Sequence, residues 1–197
     1  MPNLQDAVLL GALADVKRLV RSGARVNDSA KDGFTPLMLA AQRGDPRIAA
    51  YLIQEGANVS LRNDVGQTAL MIAAKGGHKK IIEQLIQAGA DPRAVDNEKR
   101  SAIAWATTQA DIPEVVSLLV ALGADYNARD IRGLTPLMRA AILGYARTVA
   151  LLLTVGADEK LKVRGKTAYD MAREKGHEEV CQTMLAVLEN RPKGHVL

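Results

Sequence analysis

Thr35-Pro36-Leu37-Met38-Leu39-Ala40-Ala41-Gln42-Arg43-Gly44 returns later in the chain as Thr135-Pro136-Leu137-Met138-Arg139-Ala140-Ala141-Ile142-Leu143-Gly144. Each position has a physical task. A Thr before a Pro suits a helix N-cap followed by the first helical residue, where the missing N–H of Pro costs nothing. Leu-Met-x-Ala-Ala then predicts a short helix with small residues where neighbouring helices must touch. Gly44 and Gly144 can adopt the left-handed conformation that ends it. Working outward, Asp45-Pro46 opens a second helix, with Ile48, Tyr51 and Leu52 on its apolar face. In the next stretch Ile81, Ile82, Leu85 and Ile86 play that part. Gly-Ala-Asn/Asp (Gly56-Ala57-Asn58, Gly89-Ala90-Asp91, Gly123-Ala124-Asp125, Gly156-Ala157-Asp158) stops this helix and begins a polar turn region, predicted to form a projecting hairpin.

Three interlocked series fix the period. Gly23, Gly56, Gly89, Gly123 and Gly156 are separated by 33, 33, 34 and 33 residues. Gly44, Gly77, Ala110, Gly144 and Gly176 form a second series, and Gly33, Gly66, Lys99, Gly133 and Gly165 a third. Only two steps break the rule: one residue is inserted between Ala110 and Gly123, and one is missing between Gly156 and Gly165. A period of this length signals stacked supersecondary units that share one continuous core.

Composition agrees. The chain has 197 residues, 48% of them hydrophobic, but only 3% aromatic, so its core must be built from small and aliphatic side chains at close approach. The formal charge of +4 is spread over the chain and is not the footprint of a dedicated nucleic-acid binder. Cys181 is the single cysteine, which excludes an intrachain disulfide framework and a multi-cysteine metal site. No secretory signal is read at the N-terminus, and no apolar run approaches the length of a membrane span. A cytoplasmic or nucleocytoplasmic protein is expected, without membrane insertion and as a monomer.

These motifs resemble the ankyrin repeat over about residues 4–190. The resemblance implies an all-α ankyrin-repeat solenoid of stacked helix-turn-helix units with projecting β-hairpin loops. A single domain, 1–190, is expected: a capping helical pair at 4–29, repeats at 30–62, 63–95, 96–129 and 130–162, and a polar C-terminal capping repeat at 163–190. Residues 191–197 are expected to form a flexible tail.

The unit 96–129 departs from the pattern. Lys99 replaces the hairpin Gly, Ser101-Ala102-Ile103 replaces Thr-Pro-Leu, Thr107 replaces the second Ala, and Ala110 replaces the terminating Gly. Trp105, the only Trp, lies on its first helix, the extra residue falls near Asp111-Ile112-Pro113, and the segment carries a net charge of −2. Drift in a repeat held by its neighbours accounts for this, and so does a local reshaping of the hairpin and groove for binding.

No catalytic constellation assembles, and no cofactor or metal is expected. His78 and His177 both occupy a Gly-His position opening a second helix, which suits a structural role, and His195 lies in the tail. Cys181 reads as a small buried hydrophobe. Gly165-Lys166-Thr167 mimics the end of a phosphate loop, but Lys160 stands where its first Gly is required. Asn27-Asp28-Ser29 and Asn58-Val59-Ser60 match the N-glycosylation pattern in turns where Asn is expected anyway. The resemblance also raises hydroxylation of turn asparagines, with Asn27 and Asn127 each following a Leu by eight residues.

The resemblance implies that partners dock on hairpin tips and on the concave face of the first helices. Counting from the hairpin Gly, the candidate partner-binding residues are Phe34, Arg43, Val65, Gln67, Arg100, Trp105, Ile131, Arg132, Leu134, Arg139, Ile142, Leu143 and Tyr145. Unit 130–162 stands out, because Ile131, Leu134, Ile142 and Leu143 are aliphatic at positions expected to face water. Leu134 in particular is expected to be replaceable at little cost in folding energy. The leading reading is a non-catalytic protein-protein interaction module binding another protein, with no small-molecule substrate. The alternative is a basic-surface nucleic-acid-associated regulatory protein using Lys75, Lys79 and Lys80.

Overall fold

The computed structural model describes residues 3–191. His195 and all of the expected tail beyond Arg191 lie outside the described residues. Among those described, twelve helices follow one another in pairs. The first helices of the pairs are α1 (Leu4–Leu10), α3 (Pro36–Arg43), α5 (Ala69–Lys75), α7 (Ala102–Ala106), α9 (Pro136–Leu143) and α11 (Ala168–Glu174). The second helices are α2 (Leu13–Arg21), α4 (Pro46–Gln54), α6 (Lys79–Gln87), α8 (Pro113–Ala121), α10 (Ala146–Thr154) and α12 (Glu178–Glu189).

The starts of the first helices follow from their caps. The Thr35, Thr68, Thr135 and Thr167 hydroxyls accept the backbone N–H three residues on, at 3.2 to 3.4 Å. Ser101 does the same for Ala104 at 3.4 Å, so the departure from Thr-Pro-Leu in unit 96–129 keeps its cap. Asn3 and Asp6 close a capping box on α1, which the absent Thr-Pro-Leu gave no reason to expect. Gly44 and Gly144 end α3 and α9 at φ of 77° and 78°.

Within the stack, α3 packs on α5, α5 on α7 and α9 on α11, while α4 packs on α6 and α10 on α12. Ala40, Ala41, Ala73, Ala74, Ala140 and Ala141 are fully buried, and the volume between layers is filled by Leu37, Leu70, Ile103 and Leu137. A fully buried side chain of that size contributes about 1.5–3 kcal/mol.

The connections are tight turns rather than extended hairpins. In each, one backbone bond spans the turn, Ala30 N–H to Phe34 C=O (2.8 Å), Asn63 to Gln67 (3.0 Å), Asp96 to Arg100 (3.0 Å) and Asp130 to Leu134 (3.1 Å), and a second closes its tip, as Gly33 N–H to Ala30 C=O (3.0 Å). Among the described residues, only isolated bridges remain of the expected β-structure, Val95 with Ser101 and Val163 with Lys166. Three of these turns carry a further set of bonds. The Asn63, Asp96 and Asp130 side-chain oxygens each accept two backbone N–H groups of their own turn, forming an Asx turn. Consecutive turns also bond to one another, as Asp64 N–H to Asp32 C=O (3.3 Å), Asn97 to Val65 (3.2 Å) and Ile131 to Glu98 (2.9 Å).

The irregular unit has a structural explanation for most of its departures. Helix α7 stops after five residues because the hydroxyls of Thr107 and Thr108 take the carbonyls of Ala104 and Trp105 at 2.9 and 2.6 Å. The residues that follow carry Asp111 onto the next unit. Its carboxylate accepts the N–H groups of Arg147 (3.0 Å) and Thr148 (2.8 Å) and the Thr148 hydroxyl (2.6 Å), capping α10 across the repeat boundary. Helix α7 meets α9 far less than α5 meets α7. Lys99 keeps the left-handed turn conformation at φ 58° without being Gly. Arg191, expected in the tail, is half-buried and bonds Glu159 at 3.1 Å.

Two stability effects of opposite sign follow. Asp111→Ala should destabilise by about 1–2 kcal/mol through loss of the cap, whereas Lys99→Gly should stabilise by about 0.5–1 kcal/mol, the net of left-handed strain against glycine entropy. Urea unfolding midpoints at equal slope check both.

Acid should weaken the array through its caps. The Arg47 guanidinium, aided by the N–H groups of Ile48 and Arg47, holds Asp45 below its ordinary 3.8. Hydrogen bonds from the Thr167 backbone and hydroxyl hold Asp170 below the same value. A carboxylate lowered in the folded state contributes fully above its unfolded pKa and loses that contribution as pH falls through the folded one. The melting temperature should therefore stay level down to about pH 5 and fall below about pH 4, and Asp45→Asn should flatten that fall.

Candidate partner-binding surface

Turn tips and first helices present one continuous face, and the thirteen residues expected there divide into three groups. Some are used inside the fold. Gln67 is buried, its side-chain carbonyl accepting from the Asn63 amide at 3.0 Å within their turn. Arg43 is exposed, but its guanidinium donates to the Leu9 carbonyl at 2.6 Å and ties α3 to the end of α1. Arg139 is half-buried and donates to Asp130 at 2.6 Å, leaving its Nε without a partner. Burial pushes the Arg139 pKa down, with the Asp130 charge opposing, and an Arg so placed remains a cation.

Trp105 and Arg100 form a second group, a pillar between grooves. Trp105 is only 9% exposed. Its indole N–H donates to Asp96 at 3.0 Å, and Asp96 also receives Arg100 Nε at 2.8 Å. Arg100 covers one part of the ring at 4.1 Å from its centroid, and the Lys75 ammonium lies 5.2 Å from the same centroid. The only Trp of the chain is thus covered by cations rather than offered to a partner.

The remaining residues line the open surface. Val65 is 52% exposed, Ile131 59% and Leu143 41%. Phe34 is half-buried against Gln42, Ile72 and Lys75, where a cleft of about 210 Å³ opens. Leu134 is also half-buried and packs on the core, so its replacement carries a folding cost, contrary to expectation. Tyr145 is half-buried at the start of α10.

Ile131, Arg132, Leu134 and Ile142 come together in a groove of about 570 Å³. Its other wall was not foreseen: Val163, Arg164, Lys166, Met171, Glu174 and Lys175 of the closing unit. The signal was present. Val163 and Arg164 precede Gly165 just as Ile131 and Arg132 precede Gly133, and Glu174-Lys175 precede Gly176 just as Ile142-Leu143 precede Gly144. The same count applied to the polar last unit finds them.

His177, the residues resembling the end of a phosphate loop, and the turn asparagines have structural partners. The ring nitrogen Nε2 of His177 donates to the Ile142 carbonyl at 2.9 Å, joining the last two units. Lys166 pairs with Glu174 at 2.6 Å, and Thr167 caps α11, so the residues resembling a phosphate loop are engaged. Asn27 and Asn127 each accept the N–H of the following unit's turn, from Asn58 at 2.8 Å and Asp158 at 3.0 Å. Among the described residues no helix is long and apolar enough to cross a membrane.

The Trp105 pillar gives a local test. Asp96→Ala should leave the indole N–H and the turn N–H groups of Glu98 and Arg100 without their acceptor, while Arg100 keeps its pair with Glu98 at 3.0 Å, and cost about 1–3 kcal/mol. Tryptophan emission in the native state should move to longer wavelength as the ring gains water.

Comparison with known proteins places this architecture. The family description "Ankyrin repeats (3 copies)" matches residues 4–96, 56–130 and 103–192. The human "Ankyrin repeat and KH domain-containing protein 1" is 36% identical over 94 residues, 46% of this chain and 4% of that protein. The mouse "Protein phosphatase 1 regulatory subunit 27" is 48% identical over 50 residues, 25% of this chain and 32% of that one. A "Probable E3 ubiquitin-protein ligase XBOS34" of Oryza sativa subsp. japonica is 37% identical over 93 residues, 46% of this chain and 18% of that protein. The aligned regions thus span a third or less of these relatives. The crystal structure of an ankyrin repeat domain from Acinetobacter baumannii superposes with a TM-score of 0.82 at 27% identity, covering 93% of this chain and 96% of that one. With matches that run from α1 into the end of the last unit, the chain belongs to the ankyrin repeat family, whose repeats form a protein-protein interaction module.

Proposed function

We propose that the protein is a non-catalytic binding module, acting as adaptor, scaffold or inhibitor, that holds a partner protein along its turn tips and first-helix face. The observation that carries this reading is the apolar surface of unit 130–162. Ile131 is 59% and Leu143 41% exposed, with Leu134 and Ile142 half-buried beside them. The equivalents of Ile131 and Arg132 in unit 30–62 are the polar Lys31 and Asp32. Exposed aliphatic residues such as Ile131 and Leu143, which the core does not use, suit a partner's anchor residues. Similarity to a protein named as a phosphatase regulatory subunit supports action on another protein, at the level of the repeat. The nucleic-acid reading has less support: Lys79 and Lys80 are exposed at the start of α6, away from the groove, and Lys80 pairs with Glu83 at 3.4 Å.

Because Leu134 packs on the core, Ile131 is the cleaner probe. The partner should first be identified by affinity capture and mass spectrometry. Ile131→Asp with Arg132→Glu should then leave the melting temperature almost unchanged and weaken partner binding by at least about tenfold, or 1.4 kcal/mol. Lys79→Glu with Lys80→Glu should leave the affinity intact. Normal binding by the first pair and loss in the second would place the partner on the second helices and overturn the assignment.

A further inference from the structure

The groove between unit 130–162 and the closing unit has a floor and a rim of different chemistry. Ile131, Leu134, Ile142, Val163 and Met171 supply aliphatic and thioether surface. Among the charged residues of the lining, Arg132, Arg164, Lys166 and Lys175 are basic and Glu174 is acidic. Glu174 is already engaged, because Lys166 bonds it at 2.6 Å. Arg132 has only a long contact of 3.6 Å with Asp130, whose carboxylate is bonded more closely by Arg139 at 2.6 Å. Arg164 and Lys175 have no ion-pair partner among the described residues. The rim therefore presents the positive charges of Arg164 and Lys175, which no ion pair among the described residues engages, over an apolar floor.

Arg164 adds an independent mark. It sits at φ 52°, in the left-handed region, immediately before Gly165. A β-carbon there costs the fold about 1–2 kcal/mol, and strain of this kind gathers at ligand clamps. The turn has no need of an arginine at this position, yet Arg164 lines the groove.

Resting on the reading of the protein as a binding module, we propose that this groove takes an extended acidic segment of a partner protein. One bulky aliphatic side chain of that segment sits on the Leu134–Met171 floor, with flanking carboxylates on Arg164, Lys175 and Arg132. Charge complementarity selects this occupant. Carboxylates beside an apolar anchor satisfy both the rim and the floor, and an Arg can hold a carboxylate with two parallel hydrogen bonds. A neutral or basic segment leaves the rim unpaired. Single-stranded nucleic acid would also answer the rim, but its bases need flat rings to stack on, and the groove lining contains no aromatic side chain.

A random peptide library displayed on phage, selected against the full chain, tests the proposal. Enriched peptides should carry a Leu, Ile or Met flanked by Asp and Glu. Synthetic copies should bind with an affinity that falls as salt is raised. Replacing the anchor by Ser should weaken them at least about tenfold, as should Arg164→Glu with Lys175→Glu in the protein. Arg164→Gly with Lys175→Gln should act in the same direction. The glycine relieves the left-handed backbone, so lost binding in that variant cannot come from unfolding.

Neutral or basic enriched peptides, binding indifferent to both rim variants, or no enrichment would each overturn the acidic occupant. So would tighter binding of a random RNA oligonucleotide that Arg164→Glu abolishes. The module reading fails separately, on the identified partner with Ile131→Asp and Arg132→Glu. Loss of that partner together with a failed acidic peptide would leave the module standing and remove only this occupant.

Discussion

Every unit of this protein depends on one constraint: its short first helix buries an apolar face only by lying against the first helix of a neighbour. The alanine pairs make that approach close enough. Ala40-Ala41, Ala73-Ala74 and Ala140-Ala141 are all fully buried, so larger side chains there would push the layers apart or force strained rotamers. Stability is then shared between neighbours rather than held within units. Short helices are marginal alone, which explains why so many side chains tie one unit to the next. Arg43 reaches α1, Asp111 caps α10, and His177 bonds the Ile142 carbonyl.

The fold was legible because its determinants are local and periodic. A Thr that caps, a Gly that turns left-handed and a small residue at a contact each follow from residue type and position. Even Ser101, outside the consensus, caps its helix because a hydroxyl at that position is sufficient. The turns were less legible. Hairpin periodicity suggested strands, but each connection is a tight turn, in three cases also bonded by the side-chain oxygen of Asn63, Asp96 or Asp130.

The candidate surface was legible only in part. Counting from the turn Gly locates a Cα on the open side but does not say where a long polar side chain will fold. Gln67, Trp105 and Arg139 share the register of surface residues, yet each finds an internal partner, Asn63, Asp96 and Asp130 respectively. Short branched side chains such as Val65 and Ile131 have no polar group to draw them back, and they remain exposed. The closing unit hid its part for the opposite reason. Its charged residues suggested a solvated cap, while Val163 and Met171 between them complete an apolar floor.

The boundary between units 96–129 and 130–162 is held differently from its neighbours. Helices α7 and α9 share less contact than α5 and α7, and polar bonds span the boundary beside them: Asp111 caps α10, Arg147 bonds Glu114 at 2.6 Å, and the Ile131 N–H bonds the Glu98 carbonyl. Apolar packing is non-directional, whereas a hydrogen bond fixes an angle as well as a distance. The orientation of the last two units is thereby set by bond geometry where elsewhere it is set by side-chain volume.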